Sequence, residues 1–331
     1  MSLDLTFAAI AALAFAFGFV SQRSSICGVL AARQIVETGG TSRLKAFMIA
    51  ALWAFAFAIP LAWLAPQRFA LMPSVTGAML AVVGGALYGL GTIINGACVF
   101  GTASRVLTGN LSFAAALPGI AGGGAIAGLL QLSQLQGARS PSPLIHPSSF
   151  AWLLLVIVAI LAVAALTSIM RSYRRAGLGI GRVLRAARWR TSLAMMMIGV
   201  IGGILFALSS GWSYPSLMRQ VGRAAIGLPA AFPLVTMIGP LALVAGGIGS
   251  IMLGGHFVLR RISLLQVARS AIGGLIMASA AALIPGGNDV MLLAGLPSLA
   301  MHVAVAYSAM LAVQLALLWS VRQIRLARST A

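Results

Sequence analysis

The chain has 331 residues, of which 60% are hydrophobic and 8% charged. A soluble domain carries about 25% charged residues, so this composition excludes a water-soluble globular protein and points to an integral membrane protein. The formal charge of +19 is nearly all arginine in loops, where it marks cytoplasmic faces. It is not a nucleic-acid footprint, and no nucleic-acid partner is expected.

Apolar runs of roughly 17–25 residues recur, each enough to cross a bilayer core. Backbone groups in lipid must be satisfied internally, which leaves helices or a closed barrel. The runs lack the period-2 alternation of barrel strands. The expected fold is an all-α polytopic integral membrane protein of about nine transmembrane helices, with re-entrant or broken helices between some of them.

The first span runs from about Leu5 to Val20. No basic segment precedes it, so it reads as a retained helix and not a cleaved signal. Ser21 to Gly28 interrupts it, and a short amphipathic piece follows to about Glu37. Span two is about Leu44–Ala65, and span three about Val75–Ile94. A polar, glycine-rich stretch from Asn95 to Asn110 then precedes span four, about Leu111–Leu130. Pro141, Pro143 and Pro147 keep the next loop from being helical throughout. Span five is about Phe150–Met170. The linker 171–190 holds seven arginines. Span six, about Ser192–Ser210, is followed by Trp212-Ser213-Tyr214-Pro215 and a short piece to about Gly227. Span seven, about Ala230–Leu253, contains Pro233 and Pro240, which kink it or split it. Span eight is about Val267–Ile284. Pro285 to Asp289 breaks the chain again before span nine, about Leu299–Val321.

This reading divides the chain into a first transmembrane half, 1–170, a basic cytoplasmic linker, 171–190, and a second half, 191–331. With the linker inside, the N-terminus is outside and the C-terminus cytoplasmic. Only Arg68, Arg139, Arg219 and Arg223 then lie outside, which leaves 18 of the 22 Lys and Arg inside. The halves echo one another. Gly18 to Cys27 resembles Gly203 to Trp212, and Gly84, Gly85, Gly89 and Gly91 resemble the glycines at 246–255. Transporters are often built from two such halves whose broken helices meet near the midplane.

Cys98 sits among Gly96, Ala97 and Gly101. Glycine permits a non-helical turn, and at membrane depth such a turn needs surrounding protein or a water-filled cavity. A half-helix starting near Thr102 would aim its N–H groups at the turn, and helix N-termini attract anions. A thiol adds a weak donor and a polarisable sulfur, a combination that suits a sulfur-bearing anion. The plain alternative is a buried cysteine acting as a small hydrophobe at a hinge. Cys27, beside Ser24, Ser25 and Gly28, carries the same two readings. Asn95, Thr102 and Asn110 either touch a ligand or satisfy backbone groups freed by the break. Arg105 either offsets an anion's charge or snorkels to headgroups. Asn288 and Asp289 are a buried ionisable site or an outer-loop helix cap. Trp212 and Tyr214 read as interface-belt aromatics. His146, His256 and His302 show no metal-ligand spacing, and neither a metal nor a cofactor is expected.

At these residues the chain resembles the YeeE/YedE sulfur-transport family. The likeness rests on Gly96-x-Cys98-x-x-Gly101-Thr102-x-x-Arg105 with Gly109-Asn110-Leu111. Arg23-Ser24-x-x-Cys27, Gly286-Gly287-Asn288-Asp289 and Gly295-Leu296-Pro297 support it. The resemblance implies a bacterial inner-membrane protein, not an enzyme, that takes up thiosulfate or a related sulfur anion past buried cysteines. Cys98 would be the central contact and Cys27 a second. It also implies a cytoplasmic sulfur carrier or sulfurtransferase as partner. The family pattern can include a further cysteine in the second half, and Trp212 stands where the duplication would place a counterpart of Cys27. Two rival readings stay open. A membrane thiol oxidoreductase or persulfide-handling protein needs two thiols close in space, and these are 71 residues apart in sequence. A scaffold subunit without a pathway predicts that Asn95, Thr102 and Asn110 face packed protein.

Overall fold

The computed structural model describes residues 3–24, 27–176, 180–254 and 257–329; Ser25, Gly255 and His256 lie outside them. Fourteen α-helices follow in order: α1 Leu3–Ser24, α2 Gly28–Thr38, α3 Ser42–Leu64, α4 Ala78–Asn95, α5 Val99–Leu107, α6 Ala116–Leu129, α7 Ser149–Arg175, α8 Ile180–Arg185, α9 Thr191–Leu208, α10 Tyr214–Ala225, α11 Leu234–Met252, α12 Leu264–Leu283, α13 Asn288–Val290 and α14 Met301–Ser329. A π-helical turn, Met291–Gly295, extends α13. Nine helical segments of the described residues are long and apolar enough to cross a membrane, with α1–α2 and α4–α5 each counted as one. The protein is therefore an all-α polytopic membrane protein. The only strands among the described residues are Ser74–Val75 and Arg139–Ser140, one antiparallel pair.

Several local readings are refined. The 171–190 linker is partly helical, because α7 runs on to Arg175 and α8 follows. Pro233 precedes the first turn of α11, where its missing N–H costs nothing. Pro240 lies inside α11, which stays one helix. Trp212 is not an interface aromatic. It is 1% exposed and packs against Phe17 and Phe206 with ring centroids 5.1 and 5.3 Å away. Tyr214 likewise points inward, its hydroxyl donating to the Val99 carbonyl at 2.8 Å.

The long helices pack in exchanged partnerships. α1 lies on α11 as α9 lies on α3, and α4 lies on α14 as α12 lies on α6. Small residues allow these approaches. A Cβ on Gly85 would come 2.1 Å from the Ala306 carbonyl oxygen, and one on Gly203 2.7 Å from Ala54 Cα. Element by element, α1–α6 thus corresponds to α9–α14. The pair α4 and α12 is antiparallel, since Gly84 meets Leu283 while Gly91 meets Met277. Two equivalent helices that run antiparallel are related by an axis across them, so the repeat is inverted. We propose that these two sets are the two halves, with α7 in neither. α7 packs on α3 and turns Leu153, Ile160 and Leu161 outward. On this proposal the glycine-rich α4 pairs with α12, which holds Gly273 and Gly274, whereas the sequence echo sets it beside the glycines at 246–255.

Candidate functional site

Each half contains two breaks, and each break ends in an extended residue that starts a short helix. These residues are Cys27 before α2, Cys98 before α5, Ser213 before α10 and Gly287 before α13. None of the four supplies a side-chain cap to its own helix. The first N–H groups of a helix have no intrahelical partner, so four helix N-termini inside the protein need partners from elsewhere. Position for position, Ser213 and not Trp212 is the counterpart of Cys27.

The turn at Cys98 is built by its neighbours. Gly96 is left-handed, φ +78°, and its N–H donates to the Thr92 and Ile93 carbonyls, closing α4 in the way that favours glycine. The Asn95 amide donates to the Ala97 carbonyl and to Thr102 Oγ1, both at 2.8 Å. The Thr102 hydroxyl donates to the Cys98 carbonyl at 3.0 Å. Arg105 Nη1 donates to the Gly96 carbonyl at 2.7 Å, and its guanidinium lies 4.5 Å from the Phe113 ring centroid. α5 begins at Val99, three residues earlier than Thr102.

The two cysteines meet. The Gly28 N–H donates to Cys98 Sγ at 3.4 Å, and the Cys98 N–H donates to Cys27 Sγ at 3.4 Å. Each sulfur therefore caps the other's break. Both thiols are free and buried. Gly101 makes room for them, because a Cβ there would sit 3.0 Å from Cys27 Sγ.

The other half supplies a second cluster. Asp289 is 3% exposed and lines one small cavity with Ser213. A Cβ on Gly287 would lie 2.7 Å from Asp289 Oδ1 and 2.9 Å from the Tyr88 hydroxyl, so both oxygens border one small space. The Tyr88 hydroxyl and both polar atoms of the Asn288 side chain are buried without a partner. Neither Asn288 nor Asp289 is part of an exposed loop. Tyr88 and Ser213 carry no sequence signal as site residues; an isolated tyrosine in a glycine-rich apolar helix looks like packing.

A cavity of about 20 Å³, lined by Tyr88, Val99, Ser213, Arg219, Gly287 and Asp289 among others, opens between two larger ones. One, about 490 Å³, is lined by Arg68, Arg139 and Ser210. The other, about 540 Å³, is lined by Arg139, Arg219 and Arg223. Arg139 and Pro285 border both, which puts these cavities at one face of the protein. The four arginines that the charge count sets apart thus all line this vestibule. The small cavity holds about one water and reaches Val99, the residue after Cys98.

A family model described as sulphur transport, that of the YeeE/YedE family, matches residues 23–315. The chain belongs to the YeeE/YedE sulphur-transport family. No curated protein matches the chain. The match takes in both cysteines, all four breaks and the arginine-lined cavities, so the protein is a multi-pass membrane protein of sulphur transport.

Within this family member, the Asn95 and Thr102 side chains hold the turn. Asn110 lies apart, at the far end of α5, where the Thr108–Gly109 carbonyls accept from Val258 and Arg260 N–H groups. Arg23 is also structural. It is 1% exposed, donates to Ser250 Oγ at 2.8 Å and to the Ala186 carbonyl, and ties the linker to the end of α1. His302 Nδ1 accepts from the Val75 N–H at 3.1 Å and is accounted for by packing.

Proposed function

We propose that the protein carries a small sulfur-containing anion, thiosulfate, into the cytoplasm past Cys98 and Cys27. The observation that carries this reading is the reciprocal pair of N–H···S contacts joining two helix breaks. The pair lies beneath a vestibule bordered by four arginines. Cations at the entrance raise the local concentration of an anion, and helix N-termini favour negative charge. Each thiol can donate its S–H to the terminal sulfur of thiosulfate and hand the ion on, with no bond made or broken. In the present conformation Tyr88, Val99 and Gly287 close the path, so passage requires these residues to separate. We place the protein in a bacterial inner membrane with its N-terminus outside, and assign a cytoplasmic sulfur carrier or sulfurtransferase as the acceptor.

Labelled thiosulfate uptake by cells expressing the wild type, Cys98→Ala or Cys27→Ala, at matched membrane levels, tests this. Loss of uptake in Cys98→Ala supports it; full uptake in both variants refutes the cysteine path. Absence of uptake by the wild type refutes thiosulfate as the substrate.

One observation favours a second reading. Two cysteines 71 residues apart share one break, each sulfur 3.4 Å from a backbone nitrogen beside or within the other cysteine, and thiol–disulfide chemistry needs such neighbours. A reversible Cys27–Cys98 disulfide formed during turnover would support the oxidoreductase reading.

A further inference from the structure

Asp289 stands where a transported anion should least tolerate it. Asp289 lines the narrow cavity between the two arginine-lined ones, together with Val99, the residue after Cys98. Among the described residues one cation lines that cavity, Arg219, and it makes no direct ion pair with Asp289. The surroundings are otherwise neutral. α4 presents Tyr88, the start of α10 presents Ser213 and Tyr214, and the break before α5 presents the Cys98 thiol. Arg105, on α5, is turned to the Gly96 carbonyl, and α14 brings Tyr307 toward Cys98. Glu37 is exposed and paired with Arg33.

An ionised carboxylate is an acceptor only, whereas its protonated form donates. In a low-dielectric site a dianion beside a carboxylate is strongly disfavoured. A further observation points to a ligand here: the Tyr88 hydroxyl, whose residue lines the same cavity, is buried with unused hydrogen-bonding capacity. With Asp289 protonated, the Tyr88 and Ser213 hydroxyls and the carboxyl O–H line the cavity as donors beside the Arg219 guanidinium. With Asp289 ionised, the same lining contains an opposing charge.

We propose that Asp289 binds a proton together with the transported anion, which makes this cavity a proton-coupled anion site. The inference rests on the transport reading above. The proton enters from the vestibule with the anion and leaves with it on the other side, so no bond other than O–H changes.

The test uses the purified protein in liposomes with the membrane potential clamped at zero and labelled thiosulfate on both sides. When the outside is one pH unit more acidic, the wild type should accumulate thiosulfate about tenfold inside, since one pH unit per proton is a factor of ten. Asp289→Asn should only equilibrate it, and Asp289→Glu should keep the accumulation. Adding thiosulfate to the wild type in weakly buffered detergent should draw about one proton per bound anion; this reading stands even if Asp289→Asn is inactive. Wild-type protein that equilibrates thiosulfate yet ignores the gradient and takes up no proton overturns this inference alone. An Asp289→Asn variant that accumulates like the wild type does the same. Wild-type protein that moves no thiosulfate overturns it together with the transport reading.

Discussion

Gly101→Ala should separate the geometry of the thiol pair from the stability of the fold. Gly101 lies in the first turn of α5. Alanine there improves helix propensity by about 1 kcal/mol. The new methyl would sit 3.0 Å from Cys27 Sγ, 3.1 Å from Cys27 Cβ and 3.3 Å from Ala97 Cβ. Optimal separations for such atoms are about 3.5–4.0 Å, so Cys27 must retreat by roughly 0.5 Å or more. Overpacking of this kind costs about 1–3 kcal/mol, and the propensity gain offsets part of it. The net loss is about 0–2 kcal/mol, a few degrees in Tm at most. The displaced sulfur, however, no longer meets the Cys98 N–H at 3.4 Å. We expect uptake to fall at least tenfold with the melting temperature in detergent nearly unchanged. Labelled uptake and thermal unfolding on the same preparation decide the matter. Wild-type uptake by Gly101→Ala would refute the argument that the position of the thiol matters to passage.

Other expectations follow from single contacts. Asn95→Ala leaves the Ala97 carbonyl and the Thr102 hydroxyl without their buried donor and should cost about 2–4 kcal/mol, read as a lower Tm; an unchanged Tm would contradict its role at the turn. Arg105→Gln removes the bond to Gly96 and the stacking on Phe113, and should cost about 1–3 kcal/mol while leaving the KM for thiosulfate unaltered. A raised KM at normal stability would instead make Arg105 a ligand for the anion. Arg139→Gln, at the border of both vestibule cavities, should raise KM several-fold at low salt, with the difference shrinking above about 0.5 M salt as screening sets in. Mild oxidation should close a Cys27–Cys98 disulfide within one chain and block uptake until a thiol reductant is added; mass spectrometry of the linked peptides is the readout.

Much of the architecture is legible in the sequence because it depends on local properties. Nine apolar runs of sufficient length predict the spans, and glycine, proline and serine at 96, 213, 215 and 285–287 mark their interruptions. The contents of the site are less legible. Cys98 stands out through its glycines, but nothing local says that Cys27 caps its break, because that contact spans 71 residues and rests on how α1, α4 and α11 pack. Asp289 is conspicuous as one of three acids in the chain, whereas its neighbours Tyr88 and Ser213 look like ordinary helix and turn residues. Trp212 and Tyr214 read as interface aromatics because composition places such residues at headgroups. Their burial follows from the inverted packing, which brings the end of α9 against Phe17 of α1.

α7 has a consequence out of proportion to its contacts. It touches α3 and turns most of its surface outward, so its side chains define little of the core. Yet it makes the number of crossings from α1 to α9 odd. That parity turns the second set of helices upside down, and so points α2 and α5 toward one face while α10 and α13 point toward the other. An even count would set both sets the same way up, and the cysteine breaks could not face the Asp289 break from opposite sides. A helix whose sequence needs only to be long and apolar thereby sets the direction in which the second set of breaks faces.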